Sequence, residues 1–122
     1  MKYYIDGKKY RIKPEGAYIR VNGWCFDEEG KEIELKAQID GKRCEIVQKQ
    51  IDRPDVQKKY GKKYKVASQC GFSVKIFMED IDKIPEKFVL YAESEKEKQI
   101  LLQMNEKSLM KIYDDSTISY SI

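Results

Sequence analysis

Apolar and polar residues alternate along most of this chain, and the alternation has a period of two. Ile33, Leu35, Ala37 and Ile39 are separated by Glu34, Lys36 and Gln38, the pattern of a strand with one buried face. Residues 71–78 repeat it, with Phe72, Val74, Ile76 and Met78 on one side and Ser73 and Lys75 on the other. A third run covers residues 17–27. Ile19 and Val21 face one way there, and Tyr18, Trp24 and Phe26 the other. Gly23 interrupts this run, as a bulge or a close backbone approach would. The run carries the only tryptophan and ends at Asp27-Glu28-Glu29-Gly30, an acidic, glycine-closed stretch that reads as a hairpin turn. Residues 87–92 and 99–104 make a last pair of strands around the charged turn 93–98.

Turn chemistry orders these segments. Asp6-Gly7 lies between residues 2–5 and 9–12, and Asp40-Gly41 precedes residues 43–47. Each predicts a two-residue hairpin, because both central positions of a type I′ turn need positive φ. Two such hairpins argue for antiparallel pairing. Residues 52–69 are the longest irregular segment. Within it, Asp52-Arg53-Pro54-Asp55-Val56 predicts a short helical turn with an aspartate cap and proline at its first positions. No long segment has the 3.6-residue period, and roughly seven to nine short strands are expected. The fold class is therefore all-β: an antiparallel β-sandwich of immunoglobulin-like architecture, with one short helical turn near residues 53–60. The likeness is architectural only, since Trp24 directly precedes Cys25 and the antibody spacing of Cys, Trp and Cys is missing. Residues 1–113 form the sandwich domain. Residues 114–122 are a polar tail or linker, in which Ile118, Tyr120 and Ile122 alternate as in an edge strand.

Composition narrows the function classes. A chain of 122 residues is one domain with enough material for a core. Its hydrophobic share of 41% and charged share of 37% suit a globular protein with a heavily solvated surface. The net charge of +3 arises from 24 basic and 21 acidic residues interspersed along the chain. That balance argues against a general polyanion binder, and no specific nucleic-acid partner is expected. No apolar run approaches the roughly 20 residues of a membrane span, and the N-terminal residues lack an apolar signal core, so a cytoplasmic location is expected. Histidine is absent, which removes the commonest general acid/base and the commonest nitrogen ligand for zinc. Cys25, Cys44 and Cys70 are odd in number and lack Cys-x-x-Cys spacing. They read as reduced, buried, hydrophobe-like thiols of a reducing compartment. No calcium loop, P-loop or glycine-rich dinucleotide turn is present, and neither a cofactor nor a metal is expected.

Several residues still carry candidate chemistry. Arg53 and Asp55 flank Pro54 and either clamp the long loop to the sheet or contact a ligand there. Lys58, Lys59, Lys62, Lys63 and Lys65, with Tyr60 and Tyr64 between them, form either a solvated loop or a surface for the phosphates of nucleic acid, lipid headgroups or a polyanionic glycan. Trp24, Phe26 and Phe72 suit a sugar-stacking platform, although a tryptophan within an alternating strand more often anchors a core. Tyr3, Tyr10 and Tyr18, set among charges, join Tyr60 and Tyr64 as surface aromatics.

Four pieces in order, Gly23-Trp24 with Phe26, Asp40-Gly41-Lys42, Arg53-Pro54-Asp55-Val56 and Gly71-Phe72, resemble a known module. It is the β-sandwich accessory domain at the N-terminus of many bacterial family 2 glycosyltransferases. There a tryptophan-bearing strand, an Asp-Gly-Lys hairpin, an Arg-Pro-Asp-Val loop with an aromatic soon after (here Tyr60) and a Gly-Phe strand start follow one another. The resemblance spans residues 18 to about 104. It implies a non-catalytic targeting, glycan-contacting or spacer role, with a glycan or a covalently linked transferase domain as partner. It marks Gly23, Trp24, Phe26, Gly71 and Phe72 as the scaffold fingerprint, while the long loop's own residues Arg53, Asp55, Tyr60, Tyr64, Lys62 and Lys63 are the candidate ligand or interdomain contacts. The family's catalytic domain is not within these residues, so the chain is expected to be an N-terminal segment or a stand-alone copy. Asp80-Ile81-Asp82 matches the metal-holding Asp-x-Asp of glycosyltransferases only superficially, because that motif needs a nucleotide-binding α/β domain around it. The alternative is a stand-alone β-sandwich that binds a protein or a polyanion through a sheet edge or the lysine-tyrosine loop.

Overall fold

The alternating segments form eight strands: β1 (Lys2–Lys13), β2 (Gly16–Phe26), β3 (Glu34–Ile39), β4 (Lys42–Cys44), β5 (Ile46–Ile51), β6 (Gly71–Met78), β7 (Lys87–Glu93) and β8 (Lys98–Asn105). Two short helices, α1 (Pro54–Tyr60) and α2 (Glu106–Lys111), complete the chain. This computed structural model describes residues 1–13, 16–78 and 83–113. The strands make two four-stranded sheets, in the orders β1-β2-β6-β5 and β4-β3-β7-β8. Every strand pair within them is antiparallel, and the sheets face one another as the expected β-sandwich.

Period-two alternation places the core between the sheets. Ile19, Val21, Val74 and Ile76 from the first sheet meet Leu35, Ala37, Phe88 and Leu90 from the second, and the most accessible of these eight, Leu35, is only 6% exposed. At one end α2 closes the sandwich. Asn105 Oδ1 accepts from Ser108 N, and Ser108 Oγ accepts from Asn105 N, each at 2.8 Å. This reciprocal cap ties down a six-residue helix that would not hold alone. Leu109 and the Tyr10–Tyr113 ring pair (5.5 Å) are the helix's plug into the core. The pattern of alternation missed this helix, because one buried residue on two turns leaves no 3.6-period signal.

The Asp40-Gly41 hairpin forms as expected: φ is 50° and 82° at the two positions, and Ile39 pairs with Lys42. Asp6-Gly7 does not make a hairpin. β1 runs straight through it with only a register shift between Ile5 and Gly7. Eleven-residue β2 offers an unbroken partner, and its register with β1 continues on both sides of the shift, so a bulge satisfies the backbone without reversing the chain. The Asp27–Gly30 turn is likewise no hairpin. β2 already has β1 and β6 on its two sides, so the turn carries the chain across to the second sheet. The segment 43–47 is also divided: β4 belongs to the second sheet and β5 to the first, with the crossing at Glu45. The tail 114–122, with its Ile118/Tyr120/Ile122 alternation, and Asp80 and Asp82 lie outside the described residues.

Candidate functional site

The aromatic residues of β2 do not face the core between the sheets. Trp24 and Phe26 lie on the outer side of the first sheet, where α1 and the loop behind it cover them. With Val56, Cys70, Tyr60, Tyr64 and Val66 they form a second, smaller hydrophobic cluster. Trp24 stacks on Phe26 at 5.7 Å and 15°, Tyr60 sits 5.5 Å from both rings, and Tyr64 is 6.0 Å from Phe26. Trp24 is thus buried, as an anchor should be, but it anchors a helix to the sheet's back rather than one sheet to the other.

Backbone bonds hold the loop in that position. Arg53 N donates to Ser68 O and Cys25 N to Cys70 O, both at 3.0 Å. Tyr64 N donates to Tyr60 O at 2.9 Å, a further turn after α1 that brings the Tyr64 ring against Phe26. The helix cap differs from the expectation: Arg53, not Asp52, is the N-cap, and no side chain accepts there. Pro54 supplies the preset φ of the first helical position instead. Arg53 forks onto Asp55, with Nε to Oδ1 at 3.0 Å and Nη2 to Oδ2 at 2.9 Å, while its Nη1 reaches Asp6 Oδ2 at 2.6 Å. Arg53 and Asp55 are therefore a clamp from α1 to β1 beside its bulge.

This clamp has a pH signature. The Arg53 guanidinium holds the Asp55 carboxyl below the usual carboxylate range. A depressed carboxylate adds stability above its unfolded pKa, and that stability is lost as pH falls through the folded value. Arg53→Ala should lower the thermal midpoint by about 2–5 °C near neutral pH. The gap from wild type should close as pH drops below about 4. Melting curves of both proteins from neutral to acid conditions check this, and a gap independent of pH would remove Asp55 from the clamp.

The candidate residues thus separate by environment. Tyr60 and Tyr64 are half-buried ring partners of the aromatic cluster. Lys62 and Lys63 are exposed on a shallow groove whose other side is Glu28 and Glu29, so acidic residues of the crossing turn partly offset their charge. Lys63 and Lys59 lie 5.4 and 5.3 Å from the Tyr64 and Tyr60 rings. Of the other tyrosines, Tyr3 is exposed, but Tyr10 and Tyr18 are 1% and 8% exposed and are no surface aromatics. Tyr10 pairs with Ile19 and Tyr18 lies against Phe77, which explains their burial.

Beside the loop the sandwich is open. β4 is only three residues long, so the far part of β5 faces the loop after β2 rather than a strand. The result is a cleft of about 310 Å³. Its apolar parts are Phe72, Cys25 and Leu35, and Lys65, Ala67 and Gln69 of the long loop form one wall. Gln48 pairs with Val74 and Gln50 with Phe72. Cross-strand partners share a face, so both amides project inward, where a strand of this sandwich otherwise carries Val, Ile or Phe. Asp27, Lys31 and Glu32 line the opposite side. Gln48 and Gln50 carry no alternation signal in the sequence, because Gln48-Lys49-Gln50 are three consecutive polar residues within the run 46–51.

Cys25 also lines this cleft, but burial pushes its thiol up to about 12, and burial raises Cys70 as well. Both stay protonated near neutral pH and are poor nucleophiles. All three cysteines are free. No group of metal-ligating side chains and no helix long and apolar enough to cross a membrane occur among the described residues. Scans of known family models, of curated proteins and of solved structures find no match to this chain.

Proposed function

We propose that this chain is a non-catalytic accessory module for glycan synthesis, a β-sandwich attached to a bacterial family 2 glycosyltransferase that contacts glycan at the cleft between β5 and the crossing loop. The observation that carries the reading is the inward pair Gln48 and Gln50 over Phe72 in an otherwise apolar sandwich. Neutral amides next to a ring and an apolar floor match a sugar, which offers hydroxyls on its rim and C–H groups on its face. Three of the four resembling pieces also support it, because they meet here as scaffold. A Cβ on Gly71 would lie 2.6 Å from Arg53 Cγ and 2.7 Å from Ile51 O, so a side chain there would separate α1 from the sheet. The loop that results, held by Trp24, Arg53 and Val56, is what walls the cleft.

The test is binding of the chain to arrayed neutral and charged oligosaccharides. Gln48→Ala/Gln50→Ala should lose about tenfold or more in affinity for whichever glycan is retained. Both side chains are exposed, so the thermal midpoint should stay within a few degrees of wild type. Retention of no oligosaccharide, or retention untouched by the double change, overturns the glycan-contacting role. The transferase link is read separately: the coding sequence beyond Ile122 should enter a nucleotide-sugar transferase domain. A stop codon there without a neighbouring transferase gene removes it.

A further inference from the structure

The outer face of the first sheet, away from α1, gathers positive charge that the linear sequence intersperses. Lys9 pairs with Arg20, Arg20 with Lys75, and Lys75 with Val47 across β1, β2, β6 and β5. Cross-strand partners project from the same face, and neighbouring strands are about 4.8 Å apart. Three cationic side chains therefore rise in one row about 10 Å long. The adjoining row runs Gly7, Asn22, Ser73, Lys49 and adds a fourth cation.

Like charges directly opposite one another destabilise a sheet, and this row has two such pairs in succession. Nothing acidic relieves it: Lys9, Arg20, Lys49 and Lys75 make no ion pair with a described carboxylate. Their local partners are neutral. Arg20 Nε donates to Ser73 Oγ at 3.4 Å, and Lys75 Nζ lies 5.0 Å over the Tyr18 ring. Asp6, further along β1, is taken up by Arg53. Elsewhere the molecule does pair its lysines: Lys36 with Glu93, Lys31 with Glu95, Lys96 with Glu29.

We infer that this face is a docking surface for an anionic polysaccharide, a chain bearing carboxylate or phosphate groups among its hydroxyls. Charge complementarity calls for an anion. The neutral groups select the polymer: the Asn22 amide and the Ser73 hydroxyl stand in the row beside the cations, and such groups exchange hydrogen bonds with sugar hydroxyls. A single-stranded nucleic acid would want successive open rings for its bases. Here Tyr18 is buried beneath Lys75, and Trp24 and Phe26 lie under α1; the exposed rings of the face, Tyr4 beside Trp24 and Phe77 beside Tyr18, stand at its opposite ends with the charged rows between them and offer no successive stack. A pleated, flat surface also has no element that enters a duplex groove. The inference does not rest on the cleft, which lies on the inner side of β5.

Affinity electrophoresis of the full chain tests it, with polygalacturonate as the anionic probe and dextran as the neutral one. At about 50 mM salt polygalacturonate should retard the protein and dextran should not, and the effect should fade steeply with added salt. Lys9→Gln/Arg20→Gln/Lys75→Gln should weaken retardation by about tenfold or more. Its thermal midpoint should hold or rise, because the like-charge row is gone. Lys49→Glu alone should weaken retardation in the same direction. Lys58→Gln/Lys62→Gln/Lys63→Gln removes the same charge from the loop and should change it by no more than about twofold. An equal loss from the loop variant would make the effect one of net charge and overturn the inference. So would no retardation at all, or tighter binding to a thymidine oligonucleotide or to phosphatidylglycerol vesicles.

Discussion

Trp24→Ala is expected to lower the free energy of unfolding by about 3–5 kcal/mol, the range for truncating a buried large aromatic. The loss should be large because Trp24 is the centre of its cluster. It stacks on Phe26 and touches Tyr60, so removing it leaves a void against two rings and under α1. The same change should loosen one region selectively. Amide exchange in residues 54–70 should speed up well before that of β7 and β8, whose core of Phe88 and Leu90 belongs to the other cluster. Denaturant unfolding with exchange read by residue distinguishes this from general destabilisation. Uniform acceleration along the chain would mean that the aromatic cluster and the inter-sheet core melt as one unit.

Gly23→Ala should be nearly as costly, about 2–3 kcal/mol, although it adds a single methyl. The new Cβ would lie 2.3 Å from Tyr4 O and 3.2 Å from Ile5 Cα. Both are backbone atoms and cannot rotate away, so β1 must move off β2 where its register shifts. The control is Gly7→Ala on the other side of that shift. A Cβ at Gly7 meets nothing within 4 Å, and this change should be neutral or stabilising by up to about 1 kcal/mol. Urea denaturation of the two variants decides the matter. Equal effects would show that flexibility of glycine, and not the close approach at Gly23, is what the strand pair requires.

The close approach at Gly23 was legible as an interruption in an alternating run, but its location was not. The irregularity belongs to the facing strand, because β1 is the edge that can shift while β2 is held between two partners. Asp-Gly gave the same local signal twice and two different outcomes. At Asp40-Gly41 the strands on either side are short and pair with one another; at Asp6-Gly7 a long partner strand was available, and pairing outweighed turn propensity. The candidate loop was legible as irregular, proline-started and rich in lysine and tyrosine. That Tyr60 and Tyr64 turn inward and that Arg53 closes on Asp6, 47 residues away, depends on which sheet face the loop covers. No local pattern carries that information.

By itself the sequence determined the strand content, the buried faces of β3 and β6, the Asp40-Gly41 turn and the sandwich class, because period-two alternation and φ requirements are local properties. It also determined that catalysis by histidine is impossible. Only the tertiary structure decided which strands share a sheet, since register and neighbours depend on contacts far apart along the chain. That decision creates the two surfaces of interest. The crossing at Glu45 makes β5 an edge whose inward glutamines meet no opposing strand. The order β1-β2-β6-β5 brings Lys9, Arg20 and Lys75 into one row, though acidic residues separate them along the chain. A balanced sequence thus folds into an unbalanced face, because folding sorts charges by sheet side and strand order rather than by position in the chain.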